Sequence, residues 1–440
     1  RYLYDGSTEG DILKNDGFTT ADIGLFAGES QKADVILPST IAGSAKVTYS
    51  ISNTEVAEVA ADGTITAKAE GETKLRVAVK VGRVTRSQIR KVTVYGADPA
   101  PLASYNFNAT EESPSGTLGE GIEKCTVGMG AYQGETEFEA GRSGREGDFA
   151  VKTQEGKYGL KLPQGKLQNY TVTLWAKVSS LPGWASSILF AGKSSPEEWI
   201  SIAGNDSKGS LICWASGNRR NGYTNIAANE WTMFTLVQKG GSASIYKNGQ
   251  KVELPDNWAK GLLYDGQYLA LGVNNWDRVI SGAFDDVKVY GVALTDAQVA
   301  ARYAAEDPKV ESCDPIAVET SIGIKPELPR TVKVHFVGGT EAKEEIIWPE
   351  IEESQYASAG TFEVTGKLRY FDTEVTASVT VRPLSDRLMA HYTFDEDVLA
   401  DASGKKGNAE KVNTVSQIDG LNGKAVQLPG GGANKGSVKL

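Results

Sequence analysis

Residues 26 to 95 contain five consecutive runs, "DVILPSTI", "AKVTYSIS", "EVAEVAADGTITAKAEG", "TKLRVAVKV" and "SQIRKVTVYG", in which apolar and polar side chains alternate. Gly, Asn-Thr or Asp-Gly separates the runs. A period of two is what a half-buried strand requires, because successive side chains leave opposite faces of the pleated backbone. Asp-Gly between two such runs is a hairpin signal, since Gly accepts the positive φ the turn needs. Strands this short bury one face only when two sheets stack, so the segment predicts a small β-sandwich. With 49 Gly but 3 Met, the chain as a whole favours turn-rich β-structure over helical bundles.

At 440 residues, and with roughly 100 to 200 residues per domain, several domains in series are expected. The Pro/Ala segment "GADPAPLAS" at 96 to 104 reads as a linker. After it, "LASYNFN" puts Ala103, Tyr105 and Phe107 on an apolar face and Leu102, Ser104, Asn106 and Asn108 on the other. Further strand patterns follow ("QNYTVTLWAKVS", "SSILFAG", "EWISIAG", "SLICWAS", "EWTMFTLVQKG", "QYLALGV", "AFDDVKVYGVAL"), and so many strands without a long helix predict two large stacked sheets, a jelly roll. It closes on "LTDAQVAARYAA", a helical pattern with Thr295 as N-cap, Asp296 in the first turn and Leu294, Val299 and Tyr303 on one stripe. Asp307-Pro308 ends the helix, which is expected to seal one end of the sandwich.

Several of these stretches resemble known families. "VTYSISNTEVAEVAADGTITAKAEGETKLRVAV" is similar to the bacterial Ig-like domains that serve as spacers in secreted multidomain proteins. "YTVTLWAKV", "EWTMFTLVQKGGSASIYKNGQKV" and "FDDVKVYGVALTDAQVAARYAA" resemble successive signatures of laminin-G-like, concanavalin-like jelly rolls. Residues 318 to 381, with a Pro-Glu-Leu-Pro turn, "TVKVHF", "IIWPEI" and "AGTFEVTGKL", resemble another class of bacterial Ig-like domain. "LMAHYTF" at 388 to 394 then echoes "LASYNF", and "GLNGKAVQLP" echoes "GKYGLKLP". The expected order is an N-terminal segment plus Ig-like domain at 1–97, a jelly roll at 98–310, a second Ig-like domain at 314–383, and an incomplete second jelly roll at 386–440. The fold class is all-β, and the chain is expected to be a monomeric part of a larger protein.

Composition and motifs exclude several functions. A formal charge of -10 and the lack of any Lys/Arg run leave nothing to grip a phosphate backbone, so nucleic acid is not an expected partner. No apolar run reaches the ~20 residues needed to span a bilayer. Cys125, Cys213 and Cys313 have no CxxC spacing and read as free, mostly buried thiols. The two histidines, His335 and His391, sit inside strand patterns without a GxSxG or HExxH motif, and no phosphate-cradling glycine loop is present. No catalytic constellation is therefore visible. Asp285 and Asp286, as neighbours on a strand, should face opposite sides, which argues against an acid–base couple and for a calcium or turn-stabilising role. "FDEDVLADASGKKGN" gathers Asp395, Asp397, Asp401 and Asn408, hard oxygen donors of the kind Ca²⁺ takes, and in related jelly rolls such a segment accompanies calcium.

Seven of the 8 Trp lie in the first jelly roll: Trp175, Trp184, Trp199, Trp214, Trp231, Trp258 and Trp276. Trp175 and Trp231 sit in apolar strand patterns and are expected in the core. Trp184, Trp258 and Trp276 lie beside Pro, Gly, Asn and Asp, as loop residues do. Sugars stack their C–H faces on exposed rings while amides and guanidinium groups satisfy the hydroxyls. "CWASGNRRNGYTN" supplies Trp214, Arg219, Arg220 and Tyr223, and "NNWDR" supplies Asn274, Asn275, Trp276 and Arg278, so a polysaccharide or other glycan is the expected partner. The resemblance implies a non-catalytic, secreted or cell-surface region of a bacterial polysaccharide-degrading enzyme. The alternatives are a protein-binding adhesion surface, or a cryptic glycosidase built on loop carboxylates.

Overall fold

A computed structural model describes residues 17–163, 165–179, 187–193, 198–205, 210–215, 218–240, 242–254, 268–383, 390–395, 401–403, 407–412, 415–421, 423–428 and 437–439. The chain divides into two compact units, Arg1–Asp307 and Pro308–Leu440. Nearly all regular structure is β, with one α-helix among the described residues.

The first unit opens with a small sandwich. Its larger sheet runs Ile23–Phe26, Val84–Tyr95, Gly71–Val81, Lys46–Ile51, with the first pair parallel, and its smaller sheet runs Ser30–Lys32, Thr64–Ala67, Ala57–Val59. Alternation produces the core: Leu75, Val77, Val79 and Val81 point inward along one strand and meet Ile23, Leu25, Ile65 and Val92. The Asp62-Gly63 turn forms as its sequence requires, with Gly63 at φ 90° and Asp62 accepting the Thr64 N–H at 2.9 Å.

The jelly roll stacks two larger sheets. One runs Phe138–Ala140, Phe149–Thr153, Gly282–Tyr290, Tyr170–Val178, Trp231–Lys239, Ser242–Lys247, Gln250–Lys251, with Ala103–Tyr105 also paired to Gly282–Tyr290. The other runs Asn218–Asn225, Ser210–Ala215, Glu198–Asn205, Ser187–Lys193, Tyr268–Leu271, Gly159–Leu162, Glu123–Cys125. Their facing sides share one core that includes Leu174, Phe234, Phe284, Leu189, Ile200 and Leu271. Phe107 is buried, Tyr105 packs against this core and Leu102 is exposed, as the alternation of "LASYNFN" predicts.

Helix α1 (Asp296–Glu306) has Thr295 as N-cap in a capping box with Gln298. It does not seal an end of the sandwich. Val299 and Leu294 pack with Val237, Tyr246 and Tyr290, which lie on the outward side of the first-described sheet. Tyr303 stacks on Trp175 at 5.8 Å, and Trp175 Nε1 donates to Glu306 at 2.8 Å. Trp175 is thus buried, but under the helix rather than between the sheets. Trp231 is half-buried, with Lys177 Nζ 5.0 Å from its ring, so it is not a core residue either.

Asp285 and Asp286 do not face opposite sides. Phe284 and Val287 both enter the core, and the pairing to Tyr170–Val178 shifts register between Thr173 and Trp175. Asp286, at φ 46°, is the extra residue of this bulge. Alternation therefore fails there, and both carboxyls meet the same residue: Arg142 donates its backbone N–H to Asp285 at 2.9 Å and its guanidinium to Asp286 at 3.2 Å.

The second unit contains a six-stranded sheet in the order Val310–Cys313, Thr331–Phe336, Glu341–Ile347, Gly360–Leu368, Glu374–Arg382, Ile316–Ser321. Trp348 donates its indole N–H to the Pro329 carbonyl at 2.7 Å. Further on, Glu410–Val412 pairs with Ser437–Lys439, and Ser416–Asp419 with Lys424–Gln427.

Candidate functional site

Strand alternation places Leu189, Ala191, Ile200, Ile202, Cys213, Ala215, Leu269 and Leu271 of the second jelly-roll sheet in the core. The residues between them face away from it. On that outward face Phe190 pairs in register with Ser201 and Ala270, Gly192 with Trp199 and Tyr268, and Ser201 with Trp214. Small residues at 192, 201 and 270 thus alternate with rings at 190, 199, 214 and 268. The rings pack together: Phe190 lies 6.0 Å from Trp199 and 5.6 Å from Tyr268, and Trp199 lies 5.9 Å from Trp214.

Trp276 joins them from the loop that follows Tyr268–Leu271, 5.0 Å from Trp199 and 6.0 Å edge-on to Phe190. Phe190 is fully buried and Trp199 is 7% exposed, so these two form a support. Trp214 and Tyr268 are half-buried, and Trp276 is 51% exposed. A large indole left half in water on a bed of aromatic rings is an apolar platform with a wet edge.

Asn274 holds that loop. Its Oδ1 accepts the backbone N–H groups of Trp276 (2.8 Å) and Asp277 (2.7 Å), while its Nδ2 donates to Asp277 (2.8 Å) and Ser187 (3.1 Å). At 2% exposure, Asn274 has no group left for a ligand, and it positions Trp276 instead. Asn275 Oδ1 accepts the Tyr268 hydroxyl at 2.6 Å. Burial pushes the Tyr268 phenol up, which keeps it a neutral donor. Asn275 Nδ2 is buried and has no partner among the described residues. Arg278 is turned to Glu155, which it meets at 2.6 Å.

Of the expected sugar-binding residues, the structure thus gathers Trp214, Asn275 and Trp276, assigns Asn274 to the loop and pairs Arg278 elsewhere. Trp184 and Trp258 lie outside the described residues, as do the side chains of Arg219, Arg220 and Tyr223. Phe190, Trp199 and Tyr268 are platform residues that sequence reasoning missed. The usable signal was that "SILFAG" and "EWISIAG" carry bulky apolar residues at both parities. That pattern marks a strand covered on both faces.

The carboxylates and amide named as metal ligands carry hydrogen bonds of their own. Asp285 is 1% exposed and accepts N–H groups from Arg142 and, at 2.8 Å, Asp286, so its carboxyl ties the bulge to the 142 loop. Asp401 Oδ1 accepts from His391 N, Ser403 N and Ser403 Oγ at 2.7, 2.9 and 2.7 Å. Asn408 Oδ1 accepts from Asp401 N at 3.3 Å, and Asp395 Oδ1 from Lys424 N at 2.6 Å. Asp397 lies outside the described residues. Among the described residues no group of three or more His, Cys, Asp or Glu could hold a metal ion. Burial pushes the thiols of Cys125 and Cys213 up to about 11 and about 12, which keeps both protonated and unreactive.

Residues 154–300 match the concanavalin A-like lectin/glucanases superfamily, residues 19–88 the bacterial Ig-like domain (group 2), and residues 313–369 the bacterial Ig-like domain (group 4). No curated protein matches the chain. Among solved structures it is similar to domain 4 of AbnA, a GH43 extracellular arabinanase from Geobacillus stearothermophilus, in complex with arabinotriose. That match has 25% identity and a TM-score of 0.36, and covers 46% of this chain and 98% of that one. It is also similar to the binding domain of Paraclostridial Mosquitocidal Protein 1 (12%, TM-score 0.35, 76% and 90%) and to Trypanosoma rangeli sialidase (12%, TM-score 0.34, 54% and 43%). At these TM-scores the likenesses carry no functional argument.

Proposed function

Starting from a chain in which two bacterial Ig-like domains flank a concanavalin A-like domain, we propose that the outward aromatic face of the jelly roll binds a polysaccharide. The chain would then serve as a non-catalytic binding and spacing region of a secreted or cell-surface bacterial glycoside hydrolase. The observation that carries this reading is Trp276, half exposed, held by Asn274 and backed by Trp199 and Phe190. A pyranose or furanose ring laid on the indole loses little water-bound polarity and gains contact with the ring face. Holding a polymer there raises the effective concentration of substrate near a linked catalytic domain without any chemistry of its own.

Affinity electrophoresis tests the proposal. The full chain is run through gels containing branched arabinan, xylan, mixed-linkage β-glucan or galactan, with and without Ca²⁺. Retardation by at least one polymer, with affinity weakened about tenfold or more by Trp276→Ala, is expected, corresponding to roughly 1.4 kcal/mol. Equal mobility of the chain in every gel would sink the glycan reading and leave a spacer or protein-docking surface.

A further inference from the structure

We infer that the first Ig-like domain and the jelly roll are one mechanically coupled body, joined through the Gln168–Asn169 corner. The feature is separate from the sugar site and holds whether or not a glycan binds.

The two domains are linked in sequence by residues 96 to 101, but the contact between them is far from limited to that linker. Asp22 and Leu167 form a parallel bridge, with Asp22 N donating to Lys166 O at 2.7 Å and Gln168 N to Asp22 O at 2.9 Å. The Gln168 side chain donates to Lys32 O at 2.7 Å and accepts from Asp34 N at 3.0 Å. Asn169 Nδ2 donates to Gly24 O and to Gln31 Oε1, both at 2.8 Å, and its Oδ1 accepts from Gln31 Nε2 and Gly240 N, both at 2.9 Å. Gln168 and Asn169 are each 1% exposed. Two amides buried to this extent and bonded at both ends act as a specific key, because separating the domains without full rehydration would strand their donors and acceptors.

Apolar packing and close approach reinforce the joint. Phe26 and Tyr95 of the Ig-like domain pack against the cluster of Tyr246, Tyr290, Val292 and Val299. A Cβ on Gly24 would stand 1.8 Å from the Gly291 carbonyl oxygen, so the two backbones touch there. The linker itself is pinned to α1: Gln298 donates to Ala97 O at 2.6 Å, and the Arg302 guanidinium binds Asp98 and, at 3.0 Å, Pro99 O. Lys239 pairs with Glu29 at the rim.

This cluster lies on the outward side of the sheet containing Trp231–Lys239, whereas Trp276 and its partners lie on the outward side of the other sheet. The bonded contacts fall at the strand ends beside Tyr170, Lys239 and Gly291, and none of them involves a residue of the aromatic face.

Hydrogen–deuterium exchange of the full chain, read by mass spectrometry, tests the coupling with two substitutions on the jelly-roll side. Asn169→Ala removes the buried key. Gly291→Ala removes no bond but places a methyl 2.6 Å from the Tyr95 hydroxyl. Amides of Gly71–Val81 in the Ig-like core are expected to exchange at least tenfold faster in both variants, alone or together with those of Trp231–Lys239. Unchanged exchange of Gly71–Val81 in both variants, within about threefold, would overturn the inference, since the Ig-like domain would then be stable without the joint.

Discussion

Asp285 offers a sharp test of how burial sets the energetics of this jelly roll. Its carboxyl is 1% exposed, and burial, followed by the neighbouring charge of Asp286, pushes its pKa from 3.8 up to about 7. Between those two values the folded chain keeps a proton that the unfolded chain has released, so stability falls as pH rises, at about 1.4 kcal/mol per pH unit. From pH 5 to pH 7 the loss is about 2 kcal/mol, because the slope fades as the pH reaches the folded value. Asp285→Asn cannot titrate. Its amide places an N–H against one of the two backbone N–H groups that the carboxyl accepts, a mismatch costing roughly 1–3 kcal/mol at every pH. The variant should therefore gain about 2–3 kcal/mol relative to the native chain between pH 5 and pH 8. Urea unfolding at pH 5, 6, 7 and 8 measures this difference, and other titrations cancel between the two proteins. A difference that stays flat with pH would refute the argument, because Asp285 would then be ionised in the folded state throughout.

Other expectations follow from single features. Thr295→Ala removes the N-cap of α1 and should cost about 1 kcal/mol in the unfolding of the first unit, whereas Thr295→Ser should cost much less. Phe234→Ala empties a fully buried position between the sheets and should cost about 3–5 kcal/mol, read as a lowered urea midpoint. In the second unit, the His335 hydrogen bond to Asp314, aided by the Glu341 and Asp314 charges, raises the imidazole pKa above its usual range. Its stabilising contribution is thus full below about pH 6.5 and lost as pH climbs through the raised value. His335→Ala should lower the thermal midpoint at pH 5.5 and leave it unchanged at pH 9.

Much of this architecture was readable because strands announce themselves by a period of two. "TKLRVAVKV" and "LASYNFN" show which side chains enter the core, Asp62-Gly63 marks its hairpin, and Thr295 with Asp296 marks the helix start. What periodicity does not carry is which partner covers a face. Trp175 reads as core because its strand is apolar on both sides, yet it is buried by α1 on the outward side. Asp285 and Asp286 read as opposed until a bulge, set by pairing with a strand distant in sequence, turns both toward Arg142. The platform was half legible for the same reason. Trp276 stood out among loop residues, but Phe190 and Trp199 join it only through the pairing of three strands. The amides of Asn274 and Asn275 look alike in sequence, and only their hydrogen bonds separate the support of the 276 loop from the brace on Tyr268.

Whether a sugar lies over Trp276 is read directly by hydroxyl-radical footprinting with the polysaccharide that most retards the chain. Saturating polymer is expected to lower oxidation of Trp276 severalfold and of Trp214 and Tyr268 to a lesser degree, while half-buried Trp231 on the opposite sheet oxidises as before. Undiminished oxidation of Trp276 under saturation would contradict that placement and move the binding surface off this face of the jelly roll.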